Sequence, residues 1–329
     1  MGNQILEIRN LSVQYETMDG IVKAVNNVDL TLENGSILGL VGETGAGKTT
    51  LAKSIMRLNP PIQTKVTSGT ISFDGCEMLN LSEKEMRRIR GKQISMMFQD
   101  PMTSLNPVMR VSDQIAEAIM AHEKIGEQEA HARALAALEL VGISAERGND
   151  YPHQFSGGMK QRVVIAIGLV CEPRILIADE PTTALDVTIQ AQVLQLMGEL
   201  RQKLNTSMLL ITHDLGIVAQ NCECVAIMYA GEIVESGTVK DIFNDKRHPY
   251  TKGLFLSIPN IAEPVHRLTP IDGLMPDPTN LPEGCAFCDR CKYATERCRK
   301  EKPGKRNVGG EKGTHIVKCF LEEETSRGE

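Results

Sequence analysis

Gly42-Glu-Thr-Gly-Ala-Gly-Lys-Thr49 stands between an apolar run, Ser36–Gly42 (SILGLVG), and a stretch of helical period, Lys48–Leu58 (KTTLAKSIMRL). A buried strand, a glycine-rich loop and a helix in that order form a nest of backbone N–H groups at a helix N-terminus, where anions bind. The loop fits G-x-x-x-x-G-K-[ST]. Glycines 42, 45 and 47 let the main chain wrap phosphates, Lys48 places a point charge at the β and γ groups, and the Thr49 hydroxyl can ligate Mg²⁺. The expected nucleotide contacts are therefore Gly42, Glu43, Thr44, Gly45, Ala46, Gly47, Lys48, Thr49 and Thr50.

Outward from this loop, Arg174–Glu180 (RILIADE) ends an apolar strand in two adjacent acids. Paired carboxylates at a strand end are costly unless they meet a cation or water. Asp179 is expected in the Mg²⁺ shell and Glu180 as the general base that polarises attacking water. That strand, the helical stretch Ile189–Leu204 and the strand Ser207–Thr212 give the βαβ alternation of a parallel sheet. Residues 5–33 alternate β-branched and polar residues and read as antiparallel strands; Asp113–Val141 reads as helix. After Ile258 the chain turns Pro-rich and irregular, leading to a cysteine-rich tail.

The 329 residues are 41% hydrophobic and 24% charged, a globular composition. Aromatics at 4%, no Trp and a net charge of −6 argue against a nucleic-acid binder. The basic stretch Lys84–Lys92 is read as a solvated helix face. No apolar run reaches a membrane-spanning length, and Met1–Arg9 lacks the layout of a signal peptide, so the chain is expected in the cytoplasm.

Phe155-Ser-Gly-Gly-Met-Lys-Gln-Arg162, 23 residues ahead of Asp179, resembles the signature motif of ABC ATPases, with Phe155 and Met159 where Leu and Gln are commonest. Ser156, Gly157 and Gly158 open a helix and make a second anion-binding N-terminus. The resemblance extends to Gln99 as the Q-loop glutamine near Mg²⁺, Ala184-Leu-Asp186 as the D-loop, His213 as the switch histidine and Tyr15 as the adenine-stacking aromatic. It implies an α/β fold: an ABC-type P-loop core with an antiparallel β subdomain and a helical insertion, plus an irregular Cys-rich extension. The expected boundaries are residues 1–258 for the nucleotide-binding domain, with the helical part at about 100–175, and 259–329 for the extension. Stretches such as FQDPMTSLNPVMRV, YPHQFSGGMKQR and HPYTKGLF are similar to oligopeptide and dipeptide importer ATPases, in particular the first of that system's two non-identical ATPases. This implies ATP hydrolysis at the inner face of the cell membrane. It also implies a non-identical partner ATPase (or a homodimer), two permeases and an extracellular peptide-binding protein. Related importers of nickel or other small solutes share the core motifs and stay open. Gln99–Asn106 is the expected part of a groove for a permease helix.

Of nine cysteines, Cys76, Cys171, Cys222 and Cys224 are scattered and read as small hydrophobes. Cys285, Cys288, Cys291, Cys298 and Cys319 crowd 35 residues with spacings x2, x2, x6 and x20, which points to metal. A tight triplet followed by remoter cysteines is nearer to iron–sulfur ligation than to paired zinc knuckles; zinc and metal-free thiols remain open. By resemblance to peptide-importer tails, Cys285, Cys291, Cys298 and Cys319 are the expected ligands of a 4Fe–4S cluster, with Cys288 a spare or rival. Arg290, Lys292, Arg297 and Arg299 are expected to offset its negative charge, and a structural role is expected over redox sensing.

Overall fold

The computed structural model describes residues 4–99, 104–183, 185–257 and 270–322. The expected boundary at 258/259, Ala184 and residues 100–103 of the expected permease groove lie outside them. The chain divides into two compact units.

One unit comprises Met1–Ile5, Leu32–Ile37 and Asp74–Ile211. Its sheet runs β6 (Ile94–Met97), β7 (Ile175–Asp179) and β8 (Ser207–Thr212), all parallel, with Ile94 opposite Ile175 and Asp179 opposite Ile211. Every residue of β7 and β8 is buried, which explains runs without polar alternation. The helix Val187–Leu204 joins them. It buries Val193, Leu194, Met197 and Leu200, one helical face, and ends at Asn205 in the left-handed region. Helices Val111–Met120, Glu127–Leu140 and Gly157–Leu169 form the helical insertion. The two-residue strand β5 (Cys76–Glu77) precedes the helix Glu83–Ile89, whose Ser82–Glu85 capping box explains its start. Met86 and Ile89 face inward while Arg87 and Arg88 are exposed, so the basic stretch is a solvated face.

The other unit comprises Leu6–Thr31, Leu38–Phe73 and Thr212–Glu329. Strand β1 (Gln4–Thr17) lies between β2 (Gly20–Glu33) and β4 (Thr64–Phe73) and pairs with β4 antiparallel, Leu6 against Phe73 and Tyr15 against Thr64. A second sheet orders β3 (Ile37–Val41), β9 (Cys224–Tyr229), β10 (Glu232–Thr238), β12 (Ile316–Val317) and β11 (Arg306–Asn307). The tail is thus less irregular than expected. Two short strands from it extend the sheet, with Glu235 opposite Val317 and Ser236 opposite Ile316. Two-residue strands carry no periodicity, so pairing alone reveals them.

One buried acid secures that edge. Glu235 is 1% exposed and accepts from the backbone N–H groups of Arg247 (2.7 Å) and His248 (2.9 Å). Its Oε1 also meets His315 Nε2 at 2.8 Å. Burial alone would raise the Glu235 carboxyl, but the His315 bond and the two amides reverse that, and it sits below its ordinary value. Its contribution is therefore present above the unfolded pKa of about 4.3 and is lost as pH falls through the lower folded one. Glu235→Ala, which strands these donors, should lower the unfolding free energy by about 3 kcal/mol. Urea denaturation checks this, with faster amide exchange in residues 306–317 as the companion readout.

Candidate nucleotide site

The loop after β3 has the backbone its glycines allow. Gly45 and Gly47 have φ of 84° and 102°, a region that penalises side chains. A Cβ on Gly42 would sit 2.1 Å from the Met228 carbonyl oxygen, and one on Gly47 2.3 Å from that of Ala24. Lys48 opens the helix Lys48–Ile55 and is 5% exposed. Its ammonium donates to the carbonyls of Gly42 (2.7 Å) and Glu43 (3.0 Å), so its charge is held inside the loop's curve. The Gly231 N–H donates to the Ala46 carbonyl at 2.9 Å, and the Glu43 N–H to the Tyr250 hydroxyl at 3.1 Å. The Tyr15 hydroxyl, on β1, donates to Asn59 Oδ1 (2.9 Å) and lies 3.1 Å from the Thr50 hydroxyl oxygen, which puts the expected adenine-stacking ring beside the loop's helix.

A second group gathers at the end of β7. Asp179 is 2% exposed, and Glu180 follows with φ 48°, a left-handed backbone that is strained for glutamate. The Glu180 N–H donates to the Ile211 carbonyl at 2.9 Å. Gln99 Nε2 donates to Glu180 Oε2 at 2.9 Å, joining two expected site residues 81 positions apart. Thr183 Oγ1 donates to the same oxygen at 3.0 Å. Sequence reading missed Thr183, whose signal was a hydroxyl three residues past the acid.

Ser156 caps the helix Gly157–Leu169, accepting from the Met159 N–H at 3.4 Å, and both Ser156 and Gly157 are exposed. Asp186 caps the helix Val187–Leu204, accepting from the Ile189 N–H at 2.9 Å. A Cβ on Gly158 would meet Ile189 at 2.5 Å, so the signature glycine is what lets these two helix starts meet. Phe155 and Met159, the departures from the common signature, share a partner: the Arg147 guanidinium lies 4.4 Å over the Phe155 ring and Arg147 Nη1 donates to Met159 Sδ at 3.4 Å. His213 is exposed after β8, and Asp214 next to it caps the helix Leu215–Asn221.

The five tail cysteines line one pocket with Phe287, Phe320 and His248. Burial pushes the Cys285 thiol up to about 12 and the Cys319 thiol up to about 11, and neighbouring sulfurs add to both. Cys288 instead turns its thiol to Asp289 Oδ1 at 3.6 Å. Among the described residues no three His, Cys, Asp or Glu side chains are arranged to hold a metal ion. Three of the cations expected to offset such a cluster's charge each face a carboxylate. Arg290 pairs with Glu43, Arg297 with Glu301 at 3.0 Å and Arg299 with Asp289 at 3.0 Å.

Residues 25–183 match the family described as ABC transporter, and residues 234–298 the one described as oligopeptide/dipeptide transporter, C-terminal region. The dipeptide transport ATP-binding protein DppD of Bacillus subtilis is 50% identical over 98% of this chain and 96% of its own length. The oligopeptide transport ATP-binding protein OppD of the same organism is 50% identical over 97% of this chain and 89% of its own. Among solved structures, the ATP-binding cassette MJ0796, a dimer in a post-hydrolysis state bound to ADP and Pi, is similar with a TM-score of 0.64. It is 27% identical and covers 71% of this chain and 98% of that one.

Gly47→Ala combines a positive φ with a clash against the Ala24 carbonyl. It should weaken nucleoside triphosphate binding by roughly tenfold to a hundredfold, the equivalent of about 1–3 kcal/mol of backbone strain. Titration with a fluorescent triphosphate measures it.

Proposed function

Because this chain belongs to the ATP-binding proteins of ABC transporters, in their oligopeptide and dipeptide branch, we propose that it hydrolyses ATP to energise uptake of short peptides. The observation that carries the peptide reading is the match of residues 234–298 to that branch's C-terminal region, together with near full-length identity to dipeptide and oligopeptide transport proteins. Nickel uptake has no support among these relatives. No helix among the described residues is long and apolar enough to cross a membrane, so peptide passage falls to other subunits. In this reading two permeases hold the chain at the inner membrane face, beside a non-identical ATPase, and an extracellular binding protein selects the peptide.

The chemistry follows from the side chains. Lys48 and the loop amides hold the β and γ phosphates, and Tyr15 supports the adenine. Mg²⁺, when bound, neutralises phosphate charge; the Thr49 hydroxyl, the Asp179 carboxylate and the Gln99 amide oxygen are its proposed ligands. Glu180 orients the attacking water as general base. Bonds from Gln99 and Thr183 to one carboxylate oxygen fix its rotation, so the water is presented in one orientation. His213 is proposed at the γ-phosphate, where it stabilises developing charge. Ser156, Gly157 and Gly158, at an exposed helix N-terminus, are proposed to complete the partner's site, aided by Asp186.

Glu180→Gln should keep ATP binding while lowering turnover by about 10²–10⁴-fold. Steady-state hydrolysis and peptide uptake by the assembled transporter test this, and normal hydrolysis in the variant would remove Glu180 from the role of base.

For the tail we propose that Cys285, Cys291, Cys298 and Cys319 hold a 4Fe–4S cluster, with zinc the alternative. Five thiols lining one pocket support the reading, and the bond from Cys288 to Asp289 favours the other four. Binding would deprotonate the Cys285, Cys291 and Cys319 thiols, which burial now keeps neutral, and would staple the extension. Iron, sulfide and zinc analysis of anaerobically purified protein decides it. The expected result is about four iron and four sulfide per chain, retained in Cys288→Ser; one zinc without sulfide would sink the cluster.

A further inference from the structure

Arg290 sits in the cysteine-rich extension, between Cys288 and Cys291, yet its side chain reaches the phosphate loop. Nη1 donates to both carboxylate oxygens of Glu43, at 3.1 and 3.0 Å, and lies 3.4 Å from the Tyr229 hydroxyl. Nε donates to the Asp272 carbonyl at 3.0 Å and Nη2 to that of Ile271 at 3.3 Å. The Arg290 side chain is 7% exposed and that of Glu43 32%. Glu43 is also held through its main chain, its N–H on Tyr250 and its carbonyl on Lys48. Tyr229, Tyr250 and Phe287 wall the pair, with ring centroids 4.6 to 5.5 Å apart.

A carboxylate within a loop that binds a polyanion is an electrostatic liability. Unpaired, it would repel the triphosphate across a few ångströms at a position that is still a third exposed, where added salt screens the repulsion. A fork of fixed geometry that meets the carboxylate and two carbonyls both cancels the charge and fixes where it points.

We propose that Arg290 is a positioning residue for ATP, reaching from the extension to neutralise Glu43 and so setting the phosphate loop's affinity for the nucleotide. This rests on the reading of the loop as the ATP site. Extension and loop would then act as one device, and disturbing the Cys288–Cys291 turn would be felt as weaker ATP binding.

The test is equilibrium binding of a fluorescent ATP analogue to the full chain, at about 50 mM and about 500 mM salt. Arg290→Gln should weaken binding about tenfold at low salt, and by less than about threefold at high salt, because the freed carboxylate is screened. Adding Glu43→Gln to Arg290→Gln should restore most of the affinity, since no charge then remains to repel. Equal weakness in the double variant, or a loss that salt does not touch, would mean that Arg290 merely braces the Ile271–Asp272 turn, and the proposal fails. If Arg290→Gln does not fold, Glu43→Asp and Glu43→Gln decide instead. The first keeps a charge drawn out of the guanidinium's reach and should bind at least about threefold more weakly than the second. Equal affinities overturn the proposal. Lys48→Ala is the control: if it keeps full affinity, the loop is not the ATP site and the premise itself has failed.

Discussion

A lysine ammonium with 5% exposure is the constraint on which the phosphate loop depends. A buried cation must be met by oxygen, and Lys48 is met by the carbonyls of Gly42 and Glu43. The same loop takes a positive φ at Gly45 and Gly47 and brings Gly42 too close to the Met228 carbonyl for any side chain. The loop also leans on other segments: Gly231 holds Ala46, Tyr250 holds the Glu43 amide and Arg290 the Glu43 carboxylate. The charge that would attract phosphate and the backbone that would receive it are thus fixed by one set of bonds.

The acids at the end of β7 face the complementary problem. Glu180 occupies a left-handed backbone conformation that glutamate disfavours, and the Ile211 carbonyl, Gln99 and Thr183 hold it there. The strain is in the backbone, which the Ile211 bond holds, while the two bonds to one carboxylate oxygen set the direction of the side chain. In the reading of Glu180 as the base, direction is what water activation needs.

The extension joins the core in three ways. It adds β12 and β11 to the sheet, it closes a buried Glu235–His315 contact, and it sends Arg290 to the loop. Ion pairs from Lys302 and Lys318 to Glu232 pin it further. Its cysteines line a pocket whose apolar wall, Phe287, also packs on Tyr229 and Tyr250. Phe287 therefore borders the thiols on one side and, on the other, packs on Tyr250, whose hydroxyl accepts from the Glu43 amide of the loop.

The sequence alone determined what is local or of strong period: the strand–loop–helix around Gly42–Thr49, the buried strands on either side of Val187–Leu204, the helical insertion, and the helix start at Ser156. Local backbone chemistry dictates these, since a glycine pattern, an apolar run or a cap is complete within a few residues. Tertiary structure decided what depends on residues far apart in the chain. The bond between Gln99 and Glu180, the hydroxyl of Thr183 upon it, the pairing of two-residue strands and the commitment of Arg290, Arg297 and Arg299 to carboxylates were of this kind. Charges near cysteines in sequence looked like partners for a metal. Folding gave three of them carboxylates instead, because a long arginine side chain reaches whatever acid the packing brings near and sequence adjacency does not constrain its direction.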